Sequence, residues 1–396
     1  MSSYNQYMQR IYLDANATTQ VLPEVVEAMS PFFAEGFGNP SSAHFHGQHA
    51  RSAVEHARTA VARLLHATNK EIVFTSGGTE ADNLALAGVL QTFLDAREPA
   101  HLITTQIEHH AVLYAAEALA KRGIEVTYLA PDANGLIDAA AFEAALRPHT
   151  QLVSIMLANN ETGAIQPIGK LARIAKAHNP ALVFHTDAVQ AAAKLPLDLS
   201  GEFKNVDLLS LSGHKMYAPQ GTGVLFVRKG IHIAPLFHGG PHERQRRAGT
   251  ENVPGIVALG RAAELAAAWL EDTSHISHLE SLRTRLEQGL VAAIPQTIVN
   301  ATAAPRVANT TNLHFDGIDA EALLIALDMQ GIAAGFGAAC MSGATEPSHV
   351  LLAMGLTSAQ ARASLRLSLS RLTTAEEIDR ALEIIPAAVA RLRALS

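Results

Sequence analysis

ALVFHTDAVQAAAKLPLDLSGEFKNVDLLSLSGHK, residues 181–215, decides the fold. Its two apolar runs, ALVFHT and DLLSLS, are short and closed by turn residues, which marks them as buried strands rather than helices. The first run ends at Asp187 and the second at Lys215, 28 residues later. One strand and one crossover is a natural distance between the ends of two neighbouring parallel strands.

The same grammar extends in both directions. EIVFTS, HLITTQ, EVTYLA, QLVSIMLA and GVLFVRK are further short apolar runs between residues 72 and 228, most of them separated by helix-period segments. With the first two they predict an α/β domain, a mostly parallel seven-stranded sheet between helices. After GTENVPGIVALG the character changes. Long helical patterns such as ISHLESLRTRLEQGLVAAI and DAEALLIALDMQG flank the short strands TNLHF and ASLRLSL, which predicts a smaller α+β domain. The expected division is 15–258 for the large unit, with 1–14 and 259–396 forming the small one. Thr374 and Glu377 have capping-box spacing ahead of the last helix, and Pro386 inside that helix predicts a kink or an early end.

Composition narrows the function. The chain has 396 residues, 48% hydrophobic and 17% charged, enough for large cores. A formal charge of -7 and the lack of a Lys/Arg block argue against direct nucleic-acid binding. The polar MSSYNQYMQR has no signal-peptide core, and no run reaches the roughly 18 consecutive apolar residues of a membrane span, so the expectation is a cytoplasmic protein without membrane attachment. Cys340 is the one cysteine, which rules out an internal disulfide and a cysteine-rich metal site within the chain. His44, His46 and His49 in HFHGQH lack the spacing of zinc motifs and read as a polar loop, so no metal is expected.

Ligands of open α/β sheets gather beyond the carboxyl ends of the strands. Four strands end there in polar groups: EIVFTSGGTEADN, ITTQIEHHAV, LVFHTDAVQ and LLSLSGHK. The SGGTE turn, with Gly77, Gly78 and Thr79 leading into a helix, suits a phosphate, although Thr79 with Asp82 makes an ordinary helix cap equally well. Asp187 ends an apolar strand and needs a cationic partner. That partner is a salt bridge, or the protonated ring nitrogen of a pyridinium cofactor, with a simple cap as the third reading. A desolvated Lys215 can form a Schiff base.

These landmarks have a known counterpart. The chain resembles the class V, fold-type I pyridoxal-phosphate enzymes, and within them the cysteine desulfurases of the NifS/IscS type. The resemblance runs from IYLDANATT (11–19) to RLRALS (391–396) through FGNPSSAH, EIVFTSGGTEADN, EHHAV, NNETG, HTDAVQ, SGHK, RAGTEN, EPSHVL and SLRLSLSR. It implies that Lys215 carries pyridoxal 5'-phosphate, that Asp187 pairs with the ring nitrogen, that Gln190 and Asn160 serve the ring-hydroxyl side, and that His109 stacks over the ring. It further implies that Gly78, Thr79, Ser212 and His214 hold the phosphate, and that Thr250 reaches the phosphate of a neighbouring subunit in a homodimer. Ser212 and His214 could otherwise satisfy a turn, and Asn160 could cap the loop before ETG. Arg366 would clamp the substrate carboxylate with help from Asn39.

Cys340 would be the nucleophile. It sits in AAGFGAACMSGATEPSHVL, a Gly/Ala-rich segment without helix or strand pattern, at the family's distance from EPSHVL. The family's Ser-rich approach is replaced here by Gly335, Phe336, Gly337 and Ala338, and Met341 follows the cysteine. This more apolar loop is expected to raise the thiol pKa. The implied reaction removes sulfur from L-cysteine: Lys215 takes the Cα proton, the Cys340 thiolate attacks the sulfur, His109 carries a proton, and alanine leaves. The persulfide would then serve an acceptor such as an iron–sulfur scaffold. A selenocysteine lyase or another class V enzyme is the alternative, and a non-enzymatic interaction module the third.

Overall fold

The computed structural model describes residues 10–336 and 346–395. After β1 (Ile11–Leu13) come β2 (Ile72–Thr75), β3 (His101–Thr105), β4 (Glu125–Leu129), β5 (Thr150–Ser154), β6 (Val183–Asp187), β7 (Leu208–Ser212) and β8 (Gly223–Val227). The last seven form one sheet in the order β2-β8-β7-β6-β5-β3-β4. β8 runs antiparallel to β2 and β7, and all other pairs are parallel. Each of the seven apolar runs in the sequence therefore supplies one strand.

Strands this apolar need cover on both faces, and alternation divides their side chains between two cores. Ile103, Val153, Leu209 and Phe226 face one core, with the helices Phe45–Leu64, Ile168–His178 and Val253–Glu271. Leu102, Leu152, Leu208 and Leu225 face the other, with the helices Gly78–Ala96 and His110–Ala120. The helix Val253–Glu271 contributes Leu259, Ala262, Ala263 and Ala266 to the first core, so this packing continues past residue 258. It is also the one helix among the described residues long and apolar enough to cross a bilayer, and half of that stretch is buried inside the fold.

A further core gathers around β9 (Thr297–Val299), β10 (Thr310–Phe315), β11 (Ile332–Ala334) and β12 (Ser364–Ser368). β10 lies antiparallel between β9 and β12, while β1 pairs in parallel with β11 and buries Ile11 and Leu13 in the same core. The helix Ala375–Arg393 is opened by the Thr374–Glu377 capping box and continues through Pro386. The early end expected there does not occur. Proline costs a helix interior about 3 kcal/mol, and burial of Ile378, Ala381, Ile385, Ala388 and Val389 offsets it. The polar-loop reading of HFHGQH also needs correction: the segment is the first turn of the helix Phe45–Leu64, with His44 Nδ1 accepting the Gly47 N–H at 3.3 Å.

Candidate active site

β3 sends its chain outward to β4 while β5 sends it the other way to β6, so a crevice opens at the carboxyl edge between them. A cavity of about 510 Å³ occupies this edge. Gly78, Thr79, His109, Asn160, Asp187, Gln190, Ser212, His214, Lys215 and Arg366 all line it.

The Gly78–Ala96 helix points its first turn at the cavity, with Gly77 as N-cap and no side chain closing the turn. The Thr79/Asp82 cap is thus not formed. Asp82 is buried a turn further in, and its Oδ1 has no hydrogen-bond partner. A Cβ on Gly78 would stand 2.8 Å from Val189 Cγ2, so glycine lets the turn pack against the segment after β6. Ser212 ends β7 beside it, and His214 Nδ1 lies 3.2 Å from Thr18 Oγ1.

Lys215 Nζ donates to the main-chain oxygens of Asn16 at 2.5 Å and Ala17 at 2.6 Å. Burial, and then the Arg366 charge, push this amine down to about 8, against the pull of Asp14 and Asp187. Asp187 Oδ1 accepts the Val189 N–H at 2.8 Å. Burial raises its carboxyl to about 6, opposed by that hydrogen bond and by Lys215. The two groups therefore feel each other across one cavity, from the ends of paired strands. His109 caps the helix His110–Ala120 by accepting the Ala111 N–H on Nδ1 at 3.1 Å, which leaves its proton on Nε2. Burial, with Lys215 second, lowers it to about 4, so the ring is neutral near pH 7.

The loop before ETG is capped by Asn159, whose Oδ1 accepts the N–H groups of Glu161 and Thr162 at 2.9 and 3.0 Å. The Asn160 side chain is therefore not the cap of that loop. The Asn160 main-chain carbonyl accepts from Asn16 Nδ2 at 3.1 Å and Arg366 Nη1 at 3.0 Å. Arg366 is buried on β12, its Nη2 donating to Asp14 Oδ1 at 2.7 Å while Nε has no partner. Asn39 and Thr250 line a different groove, with Arg58, His242 and Glu243, so one chain does not bring Asn39 to Arg366. Cys340 and Met341 lie outside the described residues.

Several residues of this site escaped sequence reasoning. Asn16 bridges β1 to Lys215, and Lys194 stands behind Gln190, donating to its Oε1 at 2.7 Å. Glu108 is fully enclosed, with Oε1 held by Met156 N–H at 3.0 Å and Thr105 Oγ1 at 2.7 Å, and burial raises it to about 8. The only hints were DAN immediately after an apolar triplet, and an acid directly before the expected ring-stacking histidine.

Comparison with known proteins places this geometry. The model of the family "Aminotransferase class-V" matches residues 11–381. The chain is 50% identical over 389 residues to "Cysteine desulfurase 2" of Trichormus variabilis, covering 98% of this chain and 95% of that one. A solved structure described as a NifS-like protein superposes with a TM-score of 0.89 at 38% identity, covering 97% of this chain and 100% of that one. Another, "SspA in complex with cysteine", gives 0.80 at 36% identity over 92% of this chain and 100% of its own.

Proposed function

This chain belongs to the aminotransferase class-V family, and from that premise we propose that it acts as a cysteine desulfurase, taking sulfur from L-cysteine, releasing L-alanine and holding the sulfur on Cys340. Enzymes of this family, cysteine desulfurases among them, use pyridoxal phosphate. The residues present fit that cofactor. The Gly78–Ala96 helix opens its first turn on the cavity with no side-chain cap to compete for an anion, and Asp187 is a carboxylate buried in the cavity wall, an acceptor for a protonated ring nitrogen.

In this reading Gly78, Thr79, Ser212 and His214 hold the phosphate, Asp187 keeps a proton on the ring nitrogen, and Gln190 and Asn160 serve the ring-oxygen side. Bound there, pyridoxal phosphate supplies an electron sink for charge developing on the substrate. Lys215 carries the cofactor and then serves as base for the Cα proton, a role suited to an amine lowered to about 8. Arg366 takes the substrate carboxylate, and Asn39, which one chain keeps in a different groove, would join it only from a second copy. The Cys340 thiolate attacks the substrate sulfur: the S–S bond forms as the Cβ–S bond breaks, and the electron pair left on carbon takes up a proton to give alanine. His109, with its proton on Nε2, supplies a proton in this sequence. Thr250 would reach a second copy in a homodimer, and the persulfide would pass to a cytoplasmic acceptor such as an iron–sulfur scaffold.

What carries the reading is the convergence of Lys215 and Asp187 on one cavity in a chain half identical to a protein named a cysteine desulfurase. Incubation with L-cysteine and a thiol reductant tests it, with alanine and sulfide measured for wild type, Cys340→Ala and Lys215→Ala. The wild type should form both products. Cys340→Ala should keep the cofactor's visible band and lose sulfide release, and Lys215→Ala should lose the band. Undiminished sulfide from Cys340→Ala would remove the nucleophile.

A further inference from the structure

Lys194 is a buried lysine outside the cavity lining. Its Nζ donates to Gln190 Oε1 at 2.7 Å and to Asn16 Oδ1 at 3.0 Å, both neutral amide oxygens. A cation buried without a carboxylate costs stability, and an apolar side chain of similar length would pack there more cheaply. The arrangement does something else. Lysine offers N–H donors, so the atoms facing it must be amide oxygens, and this settles which way both amides point. Even the neutral amine keeps two N–H bonds, one for each oxygen.

With Oε1 held from behind, Gln190 turns its Nε2 forward and donates to the Asn16 carbonyl at 2.9 Å. That same carbonyl receives Lys215 Nζ at 2.5 Å. Asn16 is fixed in turn, its Nδ2 donating to Thr310 Oγ1 at 2.9 Å and its Oδ1 accepting from Asn309 at 3.1 Å. A chain of hydrogen bonds thus runs from Lys194 through two amides to the amine that the chemistry needs.

We propose that Lys194 is a positioning residue: it locks the Gln190 amide with its NH₂ toward the Lys215 end of the cavity, so that Gln190 presents only a donor to the cofactor's ring oxygen. This rests on the cavity being a pyridoxal phosphate site. A donor at that oxygen spreads its negative charge and loosens its hold on the neighbouring proton at the Lys215 nitrogen. Without the lock only the Asn16 carbonyl still holds the amide, its oxygen turns inward more readily, and the proton is held more tightly.

The test is a pH titration of the visible cofactor absorbance in protein loaded with pyridoxal phosphate, for wild type, Lys194→Met and Gln190→Ala. Both variants should move the midpoint upward by about one unit, the scale of one hydrogen bond to a charged group. The double variant should match Gln190→Ala alone, since Lys194 acts through Gln190. Where Lys194→Met does not load, Lys194→Gln, which keeps an amide donor, should give a smaller shift of the same sign. A midpoint unmoved in the Lys194 variants but moved in Gln190→Ala overturns the proposal and leaves the cofactor site standing; so does a lowered unfolding temperature without a midpoint shift, the mark of a merely structural lysine. A wild-type protein that gains no visible band with pyridoxal phosphate overturns the cofactor reading itself.

Discussion

Gly335 and Arg366 exchange two main-chain hydrogen bonds, 3.1 Å from the Gly335 N–H and 3.0 Å from the Arg366 N–H. The glycine lies flat against the guanidinium, so that a Cβ at 335 would stand 2.5 Å from Nη2 and 2.9 Å from Nε. The segment leading toward Cys340 is therefore anchored on the arginine proposed to hold the substrate, and the missing side chain lets the two approach.

Gly335→Ala should displace the Arg366 guanidinium. The expected result is a rise of about tenfold in KM for L-cysteine, the scale of one weakened charge-assisted hydrogen bond, while the far-ultraviolet circular dichroism is retained. Arg366→Lys should raise KM at least as much, because an ammonium cannot reproduce a planar fork that also serves Asp14 and the Asn160 carbonyl. Steady-state alanine formation measures both. A wild-type KM in both variants would show that the carboxylate binds elsewhere.

The lowered pKa of Lys215 predicts how cofactor-free protein captures pyridoxal phosphate. Only the free amine attacks an aldehyde, so the capture rate should rise with pH and level off above a midpoint near 8. Asp187 pulls that pKa upward, so Asp187→Asn should shift the midpoint to lower pH whatever it does to affinity. Stopped-flow absorbance at varied pH reads the midpoint directly, and one near the ordinary lysine range would contradict the desolvated environment of Nζ.

The seven strands were legible because each is a short apolar run closed by turn residues, and the ends of four of them advertised the site through Gly78, His109, Asp187 and Lys215. What lay hidden depends on distance along the chain. Asp14 and Asn16 reach the site only because a three-residue strand, Ile11–Leu13, pairs with Ile332–Ala334, and nothing local in either segment declares that partner. Nothing in QAAAKLP marks Lys194 as buried, since Asn16, which its Nζ meets, lies 178 residues away along the chain. At Pro386 local propensity misled, because the core around β9 to β12 rewards continuing the helix more than proline penalises it.

Glu108 carries a stability prediction with a definite sign. Burial raises its folded pKa from the ordinary 4.5 to about 8, so the folded state binds a proton that the unfolded state releases between those values. Its stabilising contribution is complete below the unfolded pKa and fades as pH rises through the folded one. Glu108→Gln, which can keep the bond from the Met156 N–H, should change stability at pH 7 by no more than about 1 kcal/mol. It should also flatten the decline that the wild type shows between about pH 4.5 and 8. Urea unfolding of both proteins at several pH values decides it, and parallel curves would mean that Glu108 is already ionised at neutral pH.

The loop that leads to Thr250 contains a strained turn. Glu243, Arg244 and Gln245 have φ of 46°, 57° and 65°, three consecutive side chains in the left-handed region. Each such residue costs roughly 1 kcal/mol, so the turn must be held from outside. Arg58 holds it, buried against the Phe74 ring and donating from Nη1 and Nη2 to the two Glu243 oxygens at 2.8 Å each. Glu243→Ala leaves the buried Arg58 guanidinium with only the half-exposed Glu55 at 3.0 Å and the Ile72 carbonyl, so it should cost about 3 kcal/mol in urea unfolding. Arg58→Met combined with Glu243→Leu should cost clearly less than the sum of the single changes, since neither charge is then left alone. Arg244→Gly should instead stabilise the fold by up to about 1 kcal/mol, because glycine adopts this conformation without strain. If Arg244→Gly destabilised the protein as much as Glu243→Ala, the side chain of Arg244 rather than its backbone would be holding the turn.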